Sequence, residues 1–99
     1  MLEEFLRKAP QIGADELELE YEGRDLCVTA FRGPIGLGIG SVESNSNQSR
    51  QLIAEIEALR RRKTARVGET ICRISGSRYE SFGESAWRIR LSTPKATKG

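Results

Sequence analysis

Glu16-Leu17-Glu18-Leu19-Glu20-Tyr21-Glu22 is the stretch from which the fold can be read. Leu17, Leu19 and Tyr21 fall on one side of an extended chain, and the four glutamates fall on the other. A period of two with one apolar and one charged side predicts a strand with one buried face and one wet face. Glu22-Gly23-Arg24-Asp25 then reads as a hairpin turn. Leu26–Arg32 reads as the return strand, with Leu26, Val28 and Ala30 on one side and Cys27, Thr29 and Phe31 on the other. Gly33-Pro34 breaks the run. In Ile35–Val42 apolar residues alternate with Gly36, Gly38 and Gly40. Glycine weakens a strand unless a backbone or a ligand must come close to it. These three glycines are therefore candidate partner-binding residues, the alternative being that the domain's own helix lies against them.

Working outward, Leu2, Phe5, Leu6 and Ala9 share one helical face over residues 2–9. Pro10 ends or kinks that helix, and Gly13 is a stop beside it. Ser44-Asn45-Ser46-Asn47-Gln48-Ser49 is a polar loop rich in capping side chains, and Asn47 or Ser46 reads as the N-cap. The helix that follows, residues 47–63, puts Leu52, Ile53, Ile56 and Leu59 inward and pairs Glu57 with Arg61 outside. It closes on Arg60-Arg61-Arg62-Lys63, cations at the negative end of the helix dipole. Val67–Ser75 reads as a fourth strand, Gly76–Gly83 as a polar loop, and Ser85–Leu91 as a fifth strand with Trp87, Ile89 and Leu91 inward. Residues 92–99 read as a disordered tail. The order α-β-β-β-α-β-β predicts one α+β domain over residues 1–91, a mostly antiparallel five-stranded sheet with two helices on one face.

Charge is unevenly spread. Residues 1–44 carry four basic and nine acidic groups, and residues 45–99 carry twelve basic and five acidic ones. The reading adopted is that the two halves meet in one sheet, where Glu16, Glu18 and Glu20 pair with Arg73, Arg88 and Arg90. The chain has no histidine, so His-based acid–base catalysis and Ser-His or Cys-His nucleophile pairs are excluded. No GxxxxGK[ST] phosphate loop is present. No cofactor, no metal site and no enzymatic activity are expected. Cys27 and Cys72 read as small reduced hydrophobes, bridged only if their strands are adjacent. No apolar run approaches the roughly 20 residues that span a membrane, and residues 1–5 lack a secretory leader pattern. A cytoplasmic location without membrane insertion is the expectation.

Gly13-Ala14-Asp15-Glu16-Leu17-Glu18-Leu19-Glu20, after an amphipathic helix, resembles the G-A-S-D-I-H-I-E segment of the N-terminal subdomain of type II secretion and type IV pilus motor ATPases. Arg73-Ile74-Ser75, followed by Gly83-Glu84 and an apolar strand, resembles that family's R-V-S…G-E segment. The resemblance spans most of residues 2–91. It implies a module that packs against neighbouring subunits. The family's ATPase domain is absent. Cys27 and Thr29 stand where the family alternates arginines, and Glu18 replaces its histidine, so no nucleotide-contacting role carries over. The element order is also similar to the type III secretion chaperone architecture, which implies a small dimer that binds partner segments. The basic sequence pI of about 8.7 and the missing final helix depart from that pattern.

The function expected from this reading is a protein-interaction domain, docking or chaperone-like and secretion-related, working as a homodimer. Its candidate surfaces are the glycine face (Gly36, Gly38, Gly40) and the basic helix end (Arg60, Arg61, Arg62, Lys63). The alternative is a nucleic-acid-binding module that uses the basic helix end and Arg66.

Overall fold

The computed structural model describes residues 1–92. Its elements are α1 (Leu2–Gln11), β1 (Glu16–Glu22), β2 (Asp25–Arg32), β3 (Ile35–Glu43), α2 (Asn47–Leu59), β4 (Thr64–Val67), β5 (Thr70–Ser81) and β6 (Glu84–Ser92). All six strands are antiparallel, in the spatial order β3-β2-β1-β6-β5-β4. The first and last strands meet in the middle. Each half of the chain supplies one three-stranded meander, and the β1–β6 seam joins them.

Alternation sorts the sheet as the sequence predicts. Leu17, Leu19, Leu26, Val28, Ala30, Ile74, Trp87, Ile89 and Leu91 are buried on one face. Helix α1 covers them with Leu2, Leu6 and Ala9, and α2 with Leu52, Ile56 and Leu59. Helix α1 packs against both β3 and β4, at opposite edges of the sheet, so the sheet curls around it. The other face is open and polar. Ser46 is the N-cap of α2: its hydroxyl accepts from the Ser49 N–H at 3.0 Å, and the Ser49 hydroxyl accepts from the Ser46 N–H at 3.1 Å. This reciprocal cap satisfies Ser49, which is itself buried.

The sheet has six strands rather than five, and its fifth strand is longer than expected. Gly68 adopts φ +64° in a tight turn after Val67, a conformation that costs glycine little. Val67–Ser75 is therefore the end of the short β4, a turn and the start of β5. The expected loop Gly76–Gly83 is mostly strand, because β5 continues to Ser81. Its Ser75, Ser77, Tyr79 and Ser81 need no apolar character, since they lie on the open face opposite Arg90, Arg88, Ala86 and Glu84. Gly76 is a close-approach position rather than a breaker. A Cβ there would sit 2.6 Å from Arg60 Cβ, 2.7 Å from Ile89 Cδ1 and 2.9 Å from Arg60 Cα.

Three boundaries also shift. Helix α1 carries Pro10 in its last turn and ends at Gln11. Helix α2 stops at Leu59, because Arg60 and Arg61 turn the chain towards β4. Ser92, placed in the tail by the sequence, is the last residue of β6 opposite Arg73; the rest of the tail, residues 93–99, lies outside the described residues. Cys27 and Cys72 are both free. Two strands separate β2 from β5.

Gly76→Ala is expected to destabilise the domain by about 1–3 kcal/mol, because the Arg60 backbone cannot withdraw. Urea unfolding followed by Trp87 fluorescence measures it.

Candidate functional site

The candidate residues occupy two separate places. Gly36, Gly38 and Gly40 lie on β3, one edge of the sheet. Arg60, Arg61, Arg62 and Lys63 lead into β4, the other edge. The fold does not bring them together.

The glycines do not form one bare face. The β2–β3 register shifts between Val28 and Thr29, so that Val28 faces Gly40 while Thr29 faces Gly38, and Ile39 is the extra residue. Such a bulge swaps the faces of the residues beyond it. Gly40 turns towards the helices, where a Cβ would overlap the Phe5 ring. The domain's own α1 therefore fills the space at Gly40. Gly36 and Gly38 lie on the open face. Phe31 folds over Gly36, with a built Cβ 2.7 Å from Phe31 Cε1, whereas nothing lies within 4 Å at Gly38.

Flanking Gly36, Ile35 and Leu37 are 69% and 54% exposed, although alternation assigns them to the core side. They border a hollow of about 260 Å³ that Ile12, Ala14, Ala30, Arg32 and Gly36 complete. Covering either side chain would contribute roughly 2 kcal/mol. No charged residue occurs from Gly33 to Val42. Sheet edges are ordinarily guarded by charges, prolines or bulges; here the guards are Pro34, before the strand, and the bulge at Ile39. Residues 35–38 stand unguarded. Sequence periodicity missed Ile35 and Leu37 because it shows which face a side chain takes, not whether anything covers that face.

At the opposite edge, Arg60 leaves the basic cluster. Its Nε donates to Glu57 Oε1 at 2.8 Å, in place of the expected Glu57–Arg61 pair. Arg61, Arg62 and Lys63 are exposed, with Arg66 and Arg73 beside them on β4 and β5. Among the described residues none of these five makes an ion pair.

The open face between the edges is self-neutralised. Arg88 contacts Glu16 at 3.1 Å and Glu18 at 2.8 Å, and Arg90 contacts Glu16 at 3.1 Å. Arg88 also stacks 5.0 Å from the Tyr79 ring, whose hydroxyl donates to Glu18 at 3.2 Å. Hydrogen bonding to Glu18 raises the Arg88 pKa, and burial followed by the Glu18 charge raises that of Tyr79. Two expected pairings do not form. Glu20 accepts from the Ser81 hydroxyl instead. Arg73 lies opposite Ser92 and Thr64, away from β1. The Cys27 thiol is pushed up by burial and then by Glu22, Asp25 and Glu20, which disfavours the nucleophilic thiolate. No group of three or more metal-ligating side chains occurs among the described residues, and no helix there is long and apolar enough to cross a membrane.

The chain matches no protein-family model and no curated protein sequence.

Glu57 gives the domain a pH readout. The Trp87 indole N–H donates to its Oε2 at 2.8 Å, and this bond, then the Arg60 bond, holds its carboxyl below the ordinary value of about 4.3. A depressed folded pKa supplies stability that is present above the unfolded value and lost as pH falls through the folded one. Trp87 emission is expected to change as pH falls below the ordinary glutamate range, and Glu57→Gln is expected to abolish that change. A fluorescence titration of the single tryptophan checks both.

Proposed function

We propose that this chain is a non-catalytic, cytoplasmic protein-docking domain, and that its partner adds a strand to the open edge of β3. The observation that carries the reading is an uncharged edge strand with Ile35 and Leu37 exposed beside an apolar hollow. In strand addition the main chain supplies hydrogen bonds and alternate side chains supply specificity. The chemistry fits an extended, uncharged segment whose alternate residues are apolar. The resemblance of residues 13–20 and of Arg73-Ile74-Ser75 with Gly83-Glu84 to secretion and pilus motor ATPases points the docking towards assemblies of that kind, where the subdomain packs on neighbouring subunits.

Wild-type chain immobilised in native lysate is expected to retain protein that Leu37→Lys does not retain. Because Leu37 is already half exposed, the substitution leaves the fold intact, which circular dichroism verifies. Equal retention by both chains would refute docking at β3.

Nucleic-acid binding is the second reading, favoured by the five cations that make no ion pair at the β4 edge. Under the docking reading, a labelled single-stranded RNA oligonucleotide shows no polarisation change at about 0.15 M salt. Binding there that disappears with Arg66→Glu and Arg73→Glu would move the function to the basic edge.

A further inference from the structure

The strand that leaves β3 open reads the same in both directions: Ile35-Gly36-Leu37-Gly38-Ile39. An antiparallel pairing of two copies about Leu37 would place like against like, with Ile35 opposite the other copy's Ile39, Gly36 opposite its Gly38, and Leu37 opposite its Leu37.

The backbone is set for that register. Arg32 and Ile35 close the two-residue turn Gly33-Pro34. Along an antiparallel ladder, residues alternate between those that exchange hydrogen bonds with the facing residue and those that turn N–H and C=O the other way. The Phe31 carbonyl accepts from the Asp15 N–H at 3.1 Å, on the β1 side. Phe31 and Gly36 are thus a non-bonded pair, and so are Thr29 and Gly38. The N–H and C=O of Gly36 and Gly38 therefore point out from the edge. A second copy centred on Leu37 would meet them with its own Gly38 and Gly36, closing four hydrogen bonds.

The side chains agree with this arrangement. Ile35, Leu37 and Ile39 share the helix side of β3, so the two copies would cover each other's exposed Ile35 and Leu37. Gly38 is unexplained by the domain's own packing: a Cβ there meets nothing, and the glycine does not adopt a positive φ.

We infer that the occupant of the β3 edge is a second copy of this chain, paired antiparallel about a two-fold axis at Leu37 to give one continuous twelve-stranded sheet. This rests on the docking reading and names its partner. Light scattering at about 100 µM, within reach of the micromolar affinities that small interfaces show, is expected to give twice the 11.0 kDa chain mass. Leu37→Lys, which places two cations face to face, and Gly38→Pro, which deletes an outward N–H while sparing the domain's own ladder, are each expected to return the mass to one chain with an unchanged circular dichroism spectrum. A monomeric wild type, or a dimer that survives either substitution, overturns the inference. A monomer whose lysate retention still depends on Leu37 leaves docking standing and removes only the self-pairing.

Discussion

The pairing of β1 with β6 is the constraint on which the rest of the structure depends. It brings Glu16 opposite Arg90 and Leu19 opposite Trp87, residues near the two ends of the described chain. Without it the molecule would be two separate three-stranded meanders, with no continuous apolar face for the two helices to cover. Across the seam Leu17, Leu19, Trp87 and Ile89 are buried together. On the opposite face Glu16 and Glu18 meet Arg88 and Arg90. Exposed pairs of this kind contribute about 0.2–1 kcal/mol each, so the apolar side supplies the stability and the charged side supplies register. A one-residue slip would send the leucines to water and the glutamates to the core.

The seam also decides which strands become edges. With the first and last strands inside, the edges fall to β3 and β4. Strand β4 is short, carries Arg66, and follows the cations at Arg61–Lys63, which are ordinary edge protections. Strand β3 is nine residues long and uncharged through Val42. The charge asymmetry of the two chain halves thus becomes an asymmetry of the two sheet edges. The acidic half spends its carboxylates on the seam and the β1–β2 surface and leaves its outermost strand bare.

Much of this was legible in the sequence. Strands β1 and β2 follow from strict alternation, and α2 from its apolar face and a serine cap. The antiparallel α+β class, and the meeting of acidic and basic halves in one sheet, also hold. What the sequence hid was non-local. Gly76 reads as a loop residue until Arg60 is placed against it. The serines of β5 read as a loop because an open face carries no apolar signature. The alternation of Ile35, Leu37 and Ile39 cannot reveal that β3 has a neighbour on one side only. The bulge at Ile39, which separates Gly40 from Gly36 and Gly38, arises from the β2–β3 register, and no single residue announces it.

The three glycines then divide by cause. Gly40 makes room for Phe5 of α1, and Gly36 for Phe31, so both are fixed by the domain's own packing. Gly38 is fixed by neither. A strand interior favours β-branched and aromatic residues over glycine, and a side chain at Gly38 would stand in open space on the polar face. A strand that pairs at the β3 edge must also stop there, because an edge that accepts one strand and offers another would propagate. In the self-pairing inferred above, the offered and accepting strands would be the same one. Two copies joined through β3 would leave only their β4 edges free, and those edges carry like charge. That pairing would close at two, and the unguarded edge would not become a site of indefinite growth.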